Sequence, residues 1–279
     1  MDQNLRRFSD AVAAERVRIN LAEAALLCAQ DAYPELDVRD TMARIDELAD
    51  VLKRRLPADF STTHRLLALN NYLFGELGFS GDADNYYDPR NSFLNDVLLR
   101  KTGIPITLSI LYIEIGTRLG LKLRGVSFPG HFLVKIRVTG GELVLDPYEG
   151  GRSLSEEDLR ERLARFTGEE AAQSLPLEDF LETASPRQIL ARLLRNLKAI
   201  HLEAKDLDRA LAVMNRLVIL LPDVPEERRD RGLVFAQLEC PRAAADDLGF
   251  YARERPAAED AEKVAAQLAA ATISAARLN

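Results

Sequence analysis

The stretch PGHFLVKIRVTGGELVLDP, residues 129–147, decides how the rest of the chain is read. Phe132, Val134, Ile136 and Val138 alternate along one segment, and Leu143 and Leu145 along the next. A period of two marks a strand with one buried face. Gly140-Gly141 between the segments suits a tight hairpin turn that needs positive φ. Residues that face each other across an antiparallel hairpin share a face. If Phe132, Val134 and Ile136 share the core face with Leu143 and Leu145, then His131 and Asp146 share the opposite one. Parity leaves the register free to slip by two residues. A hydrogen bond between the two is therefore permitted but not dictated.

Upstream, Ile106 to Leu119 carries apolar residues around nearly its whole circumference and predicts a buried helix. Gly103-Ile104-Pro105 breaks the chain before it, and Pro105 suits a first helical turn. Leu121 to Val126 then alternates like a strand. The fold class is α+β, a small antiparallel sheet packed on a buried helix. A helix, a His strand and an Asp strand in that order is the layout of Cys-His-Asp hydrolases and transferases. In such sites a thiol gains from the dipole at a helix start, a His acts as base and an acid orients the His. His131 and Asp146 suit the last two roles. The helix start reads Pro105-Ile106-Thr107 and holds no cysteine. Thr107 and Ser109 are the nearby hydroxyls that would have to replace it. Glu114 lies seven residues after Thr107 on the same helical face. It either pairs with Arg118, four residues on, or lines a polar pocket with His131. Asn91 or Ser92 reads as the cap of FLNDVLLRKT, with Asn95 as a cleft candidate, and Tyr86 and Tyr87 stand in the loop before it as candidates for a pocket rim.

Helices precede this core. Asn20 is placed to cap LAEAALLCAQ, which Pro34 ends; Thr41 to Arg55 repeats its apolar residues every three to four positions, and His64 to Leu77 carries five leucines. After about residue 190 the chain is helical again and repeats itself. Ala210 and Ala244, Leu217 and Tyr251, and Pro222 and Pro256 are each 34 positions apart. That period, with small residues at fixed places and a closing proline, belongs to tetratricopeptide repeats. Gly232 and Ala236 fit close contact between first helices. Leu193 matches Glu227, which breaks the pattern. A plain bundle of helical hairpins is the alternative. The helix from Glu259 to Leu278 would cap the array.

The 279 residues are 47% hydrophobic and 29% charged, with a net charge of −7. There is no long basic run, which argues against nucleic acid and against anionic membrane surfaces. No run of eighteen apolar residues occurs. Two separated cysteines, Cys28 and Cys240, and three histidines offer no metal spacing, so neither metal nor cofactor is expected. No secretory leader pattern opens the chain, and the expected location is the cytoplasm.

NSFLNDVLLRKTGIPITLSILYIEIGTRLGL, GVSFPGHFLVK and LVLDPYEGG together resemble the transglutaminase-like domain of the SirB type, which tetratricopeptide repeats follow. The resemblance covers roughly residues 20–260. It implies a papain/transglutaminase-like core, with the family's His and Asp at His131 and Asp146. It also puts the ancestral Cys position at about Pro105 to Thr107. The SirB type shares that departure, and its role is linked to regulation. The expected division is a helical part of the core over 1–60, the transglutaminase-like core over 61–165, a linker over 166–187 and helical repeats over 188–279. The expected function is a non-catalytic binding or regulatory module. Its relic dyad, His131 and Asp146, would line a cleft for a peptide or small amide, and its repeats would dock a protein partner. The alternatives are an amide hydrolase or acyltransferase using His131–Asp146 with a hydroxyl or water nucleophile, and a scaffold with a filled cleft.

Overall fold

Short polar residues stand before the helical stretches, and the caps form there. In the computed structural model, which describes residues 3–13 and 19–277, Gln3–Ala13 (α1) is followed by Leu21–Ala29 (α2), Val38–Arg55 (α3) and Thr62–Asn70 (α4). The side chains of Asn20, Asp37 and Ser61 accept from first-turn N–H groups of α2, α3 and α4. They satisfy donors that a helix start leaves without partners. The helix expected to run to Leu77 changes at Asn71–Glu76 into a π turn.

Next come Ser80–Gly81 (β1), a 3-10 turn at Pro89–Asn91, Leu94–Arg100 (α5), Thr102–Gly103 (β2) and Pro105–Arg118 (α6). The N-cap of α5 is Phe93, so neither Asn91 nor Ser92 takes the cap role expected of it. Asn91 is wholly buried and ties the loop before it to α5. Its amide donates to Asp82 and to the Asn85 carbonyl, and its oxygen accepts from Arg100.

The sheet is an antiparallel meander of Arg124–Val126 (β3), Leu133–Val138 (β4), Gly141–Asp146 (β5) and Arg152–Leu154 (β6). Val134 faces Leu145 and Ile136 faces Leu143, which is one of the registers that the alternation leaves open. Gly140, at φ +103°, makes the turn. α6 packs against β3 and β4 and is buried from Pro105 to Tyr112. The opposite face is also covered. Val126, Leu133, Val144 and Leu154 gather there with Leu159 and Leu163 of Glu156–Thr167 (α7) and Ala172 of Glu169–Ser174 (α8). The stretch 166–187 is thus ordered against the core: it holds α8, a 3-10 turn at Leu177–Phe180 and a bridge from Thr183 to Val126.

The described residues fall into two compact units that divide between Leu193 and Leu194, within Pro186–Glu203 (α9). The second unit holds the rest of α9, Leu207–Leu220 (α10), Pro225–Gln237 (α11), Pro241–Glu254 (α12) and Ala261–Ala276 (α13). It also takes α1, which the expected division put with the core. The helix is amphipathic and buries Phe8 and Val12, and it packs on α10. Ala210 and Ala244 are fully buried at equivalent places. Pro222 and Pro256 follow the C-caps Leu221 and Arg255, where a proline cannot continue a helix. A Cβ at Gly232 would come within 2.9 Å of Leu248, so this glycine admits the second helix of its own pair, not a neighbouring first helix.

The mismatch at Glu227 has an electrostatic reason. Its buried carboxylate receives Arg195 at 2.7 Å and Lys198 at 2.9 Å, and Lys198 also meets Asp230 at 2.9 Å. α9 and α11 therefore meet through ion pairs at the repeat position where the first repeat has Leu193. Without the carboxylate, Lys198 keeps only Asp230 and Arg195, 48% exposed, turns to water, so the loss is that of the charge-assisted bonds themselves. Glu227→Ala should lower stability by about 1–3 kcal/mol, read from urea unfolding of the full chain. A change within experimental error would make the pair dispensable.

Candidate functional site

Strand parity and one carboxylate build the site. Asp146 ends β5 on the face it shares with Leu133, and it is fully buried. Its Oδ1 accepts from His131 Nε2 at 2.9 Å and from the Tyr148 N–H at 3.0 Å. Its Oδ2 faces Arg162 Nη2 of α7 at 2.9 Å. Arg162 also meets Glu149 at 2.8 Å. Burial alone would raise the Asp146 carboxyl, but His131, Arg162 and the Tyr148 N–H outweigh it and hold the group below its ordinary range. An ionised carboxylate only accepts, so the proton between the pair sits on His131 Nε2. Among the described residues no protein group hydrogen-bonds His131 Nδ1.

Tyr148 follows from Asp146-Pro147. The 3-10 turn Pro147–Glu149 packs against α6 and β1. The Tyr148 ring meets the His131 ring edge-on at 5.7 Å. The same ring lies across Gly81, where a Cβ would come within 2.4 Å of it. Gly81 pairs with Gly103, two residues before α6. An aromatic side chain therefore stands between the imidazole and the ladder that leads into the helix start.

The remaining candidates are dispersed. Thr107 is fully buried; its Oγ1 accepts from the Ile104 N–H at 3.1 Å and donates to the Asn91 carbonyl at 2.7 Å. That is the back-reaching half of a capping box, which holds the start of α6. Ser109 is equally buried, and its hydroxyl has no hydrogen-bond partner among the described residues. Glu114 pairs with Arg118 at 2.7 Å. It lines a cavity of about 630 Å³ with Asn20, Thr117 and Ser185, and His131 is not part of that lining. Asn95 is half-buried, with no partner for its Oδ1 among the described residues. Tyr86 meets Tyr148 at 6.5 Å and Tyr87 at 5.2 Å, so the tyrosine loop does border His131. Cys28 is buried in α2, and Cys240 is exposed at the N-cap of α12.

Three contributors escaped sequence reasoning. Tyr148 is signalled only by its place after a turn-forming Asp-Pro. Arg162 and Arg192 lie on amphipathic helices, where hydropathy treats any arginine as solvated. Among the described residues no group of three or more His, Cys, Asp or Glu side chains gathers where an ion could be held. No described helix is long and apolar enough to cross a membrane.

Thr107→Val removes the acceptor for Ile104 and the donor to Asn91 while keeping the shape. It should cost about 1–3 kcal/mol in unfolding free energy, measured in urea; an unchanged value would deny the cap. Asp146 has a lowered folded pKa against an ordinary value of 3.8. Its contribution is therefore complete above roughly pH 4 and is lost as pH falls through the lower folded value. The stability gap between the wild type and Asp146→Asn should shrink as pH drops from about 5 to 2. A gap independent of pH would contradict the ionised pair.

Comparison with known proteins agrees with this architecture. Residues 39–195 match the transglutaminase-like superfamily, and residues 197–269 match the tetratricopeptide repeat. A UPF0162 protein of Xylella fastidiosa is 42% identical over 248 residues, 89% of this chain and 88% of its own. Protein SirB1 of Salmonella typhimurium is 30% identical over 237 residues, 85% of this chain and 86% of its own. A crystal structure of menin shares 9% identity at a TM-score of 0.43, over 95% of this chain and 69% of that one. Match and geometry converge, and the chain belongs to the transglutaminase-like superfamily, in the SirB1-related group that carries tetratricopeptide repeats.

Proposed function

We propose that the protein is a non-catalytic binding module: the cleft at His131 holds a peptide or small amide, and the tetratricopeptide unit docks a protein partner. The state of Thr107 carries this reading. Its hydroxyl is buried and bonded on both sides, so it has no reach toward a substrate carbonyl. Ser109 is buried two residues further along the same helix, and Tyr148 covers the approach from His131. Acyl transfer needs a nucleophile within hydrogen-bond reach of its base, and no Cys, Ser or Thr side chain hydrogen-bonds His131 among the described residues. Tetratricopeptide arrays present extended surfaces suited to polypeptide segments.

One observation favours hydrolysis instead. The His131–Asp146 hydrogen bond is intact, and Nδ1 has no protein partner among the described residues, as a base for water would require.

A degenerate pool of N-acetyl hexapeptide amides, incubated with the full chain with and without hydroxylamine, separates the readings by mass spectrometry. The expected outcome is binding of the pool with neither hydrolysis nor hydroxamate. His131→Ala should weaken that binding about tenfold, a typical loss for a central contact. It should cost only about 1 kcal/mol of stability, because Asp146 keeps Arg162 and the Tyr148 N–H. Turnover that His131→Ala abolishes would make the protein an enzyme. A variant that binds like the wild type would remove the site.

A further inference from the structure

Four side chains close a ring beside the His131–Asp146 pair. The Phe128 carbonyl accepts both the backbone N–H of His131 at 3.2 Å and Arg192 Nη1 at 2.8 Å, so the guanidinium and the His131 main chain converge on one oxygen. His131 meets Tyr148, Tyr148 meets Tyr86, and Tyr86 faces the charge of Arg192.

Arg192 is the odd member. It is half-buried, lies 5.7 Å over the Phe132 ring and donates through Nη1 to Ser127 Oγ at 2.8 Å as well as to Phe128. No carboxylate among the described residues pairs with it. Burial disfavours its charge, and the Tyr86 phenol is the group that opposes that effect. A cation withdrawn from water without an anion is costly. Its Nε and Nη2 make no hydrogen bond to the protein among the described residues. Those two groups form one edge of the planar fork, which matches the two oxygens of a carboxylate.

The surroundings choose among anions. A single guanidinium suits a monoanion, and Asp82 and Asp84 already act unfavourably on the Tyr148 phenolate. A dianionic phosphate would need more cations than the ring supplies. The rim is aromatic. Tyr87, 71% exposed, stands edge-on to Tyr86. Phe166, 61% exposed, lies across Gly130, where a Cβ would come within 1.7 Å of the ring. Aromatic residues around a central arginine make up the strongest contacts of peptide interfaces.

We propose that this ring is a carboxylate receptor for peptides: Arg192 takes the carboxylate edge-on, Tyr86 and Tyr148 wall it, and Tyr87 and Phe166 cover the flanking residues. The proposal rests on reading the His131 cleft as a binding site. The carboxylate is either an acidic side chain or a free chain end.

Three fluorescent pools of degenerate N-acetyl hexapeptides test it by anisotropy with the full chain. One is amidated and free of acids, one is amidated with a fixed central Glu, and one is acid-free with a free C-terminus. At least one carboxylate pool should half-saturate at about a tenfold lower concentration than the neutral pool, as a charge-assisted hydrogen-bond pair implies. Which pool does so identifies the source. Arg192→Gln should bring that pool down to the neutral level, and Arg192→Lys should keep part of the preference. If Arg192→Gln does not fold, the wild-type comparison of the three pools decides alone. Equal binding of all three pools, or a preference that survives Arg192→Gln, overturns the carboxylate receptor. In either case binding that His131→Ala removes leaves the cleft reading intact. Failure of every pool to bind overturns both.

Discussion

Four elements of the core meet at one buried carboxylate. Asp146 closes β5, receives His131 from the loop before β4, accepts the N–H that starts the 3-10 turn at Tyr148, and faces Arg162 from α7. A carboxylate without solvent must find its partners in the protein or stay neutral. Here the partners are a ring nitrogen and a backbone amide, both on Oδ1, and a guanidinium that meets Oδ2 as an ion pair. The arrangement fixes the imidazole tautomer and the direction of the His131 ring, and with it the face that Nδ1 presents. It also pins α7 over the second face of the sheet, so the site and the second hydrophobic layer depend on one atom group. Loss of that group would loosen both.

Much of this was legible because side-chain parity is a hard constraint. Alternation along Phe132 to Val138 and Leu143 to Leu145 placed His131 and Asp146 on one face; the register that pairs Val134 with Leu145 and brings the two together is supplied by the structure. The apolar residues around nearly the whole circumference of α6 likewise announced burial. What hydropathy cannot report is the partner that covers a second face. Leu133 and Val144 read as ordinary alternating positions, yet they bury against Leu159 and Leu163 more than ten residues downstream. The same blindness hid Arg162 and Arg192, since a half-buried arginine and a solvated one look identical in sequence. α1 escaped for a related reason. Its short amphipathic stripe says that Phe8 and Val12 are buried, but not against which unit.

The repeats show the converse case, in which a broken pattern carried information. The 34-residue spacing holds at Ala210 and Ala244 because small residues are required where helices cross closely. It fails at Leu193 and Glu227, and there an ionic seam replaces an apolar one. Arg228 and Arg231 both reach Asp247, which is also buried, so α11 meets α12 through charge as well. α11 consequently has little apolar asymmetry, although its ion pairs face definite neighbours. Ion pairs of this kind specify a register better than they stabilise it, because the charges must first leave water. An array of few repeats has few interfaces to enforce alignment, and charge pairing supplies what interchangeable apolar contacts do not.

The start of α6 shows a hydroxyl serving as a helix cap. A helix N-terminus offers partial positive charge and unsatisfied N–H groups. A thiol placed there would draw on both to become a nucleophile. Thr107 instead gives its oxygen to the Ile104 N–H and its proton to Asn91. The second bond links the helix to the residue that orders the Asp82–Asn91 loop, and that loop carries Tyr86 and Tyr87. The two hydrogen bonds of Thr107 hold its hydroxyl in the capping position. Through Asn91 the hydrogen bonds of the helix start continue to the loop that carries the tyrosines.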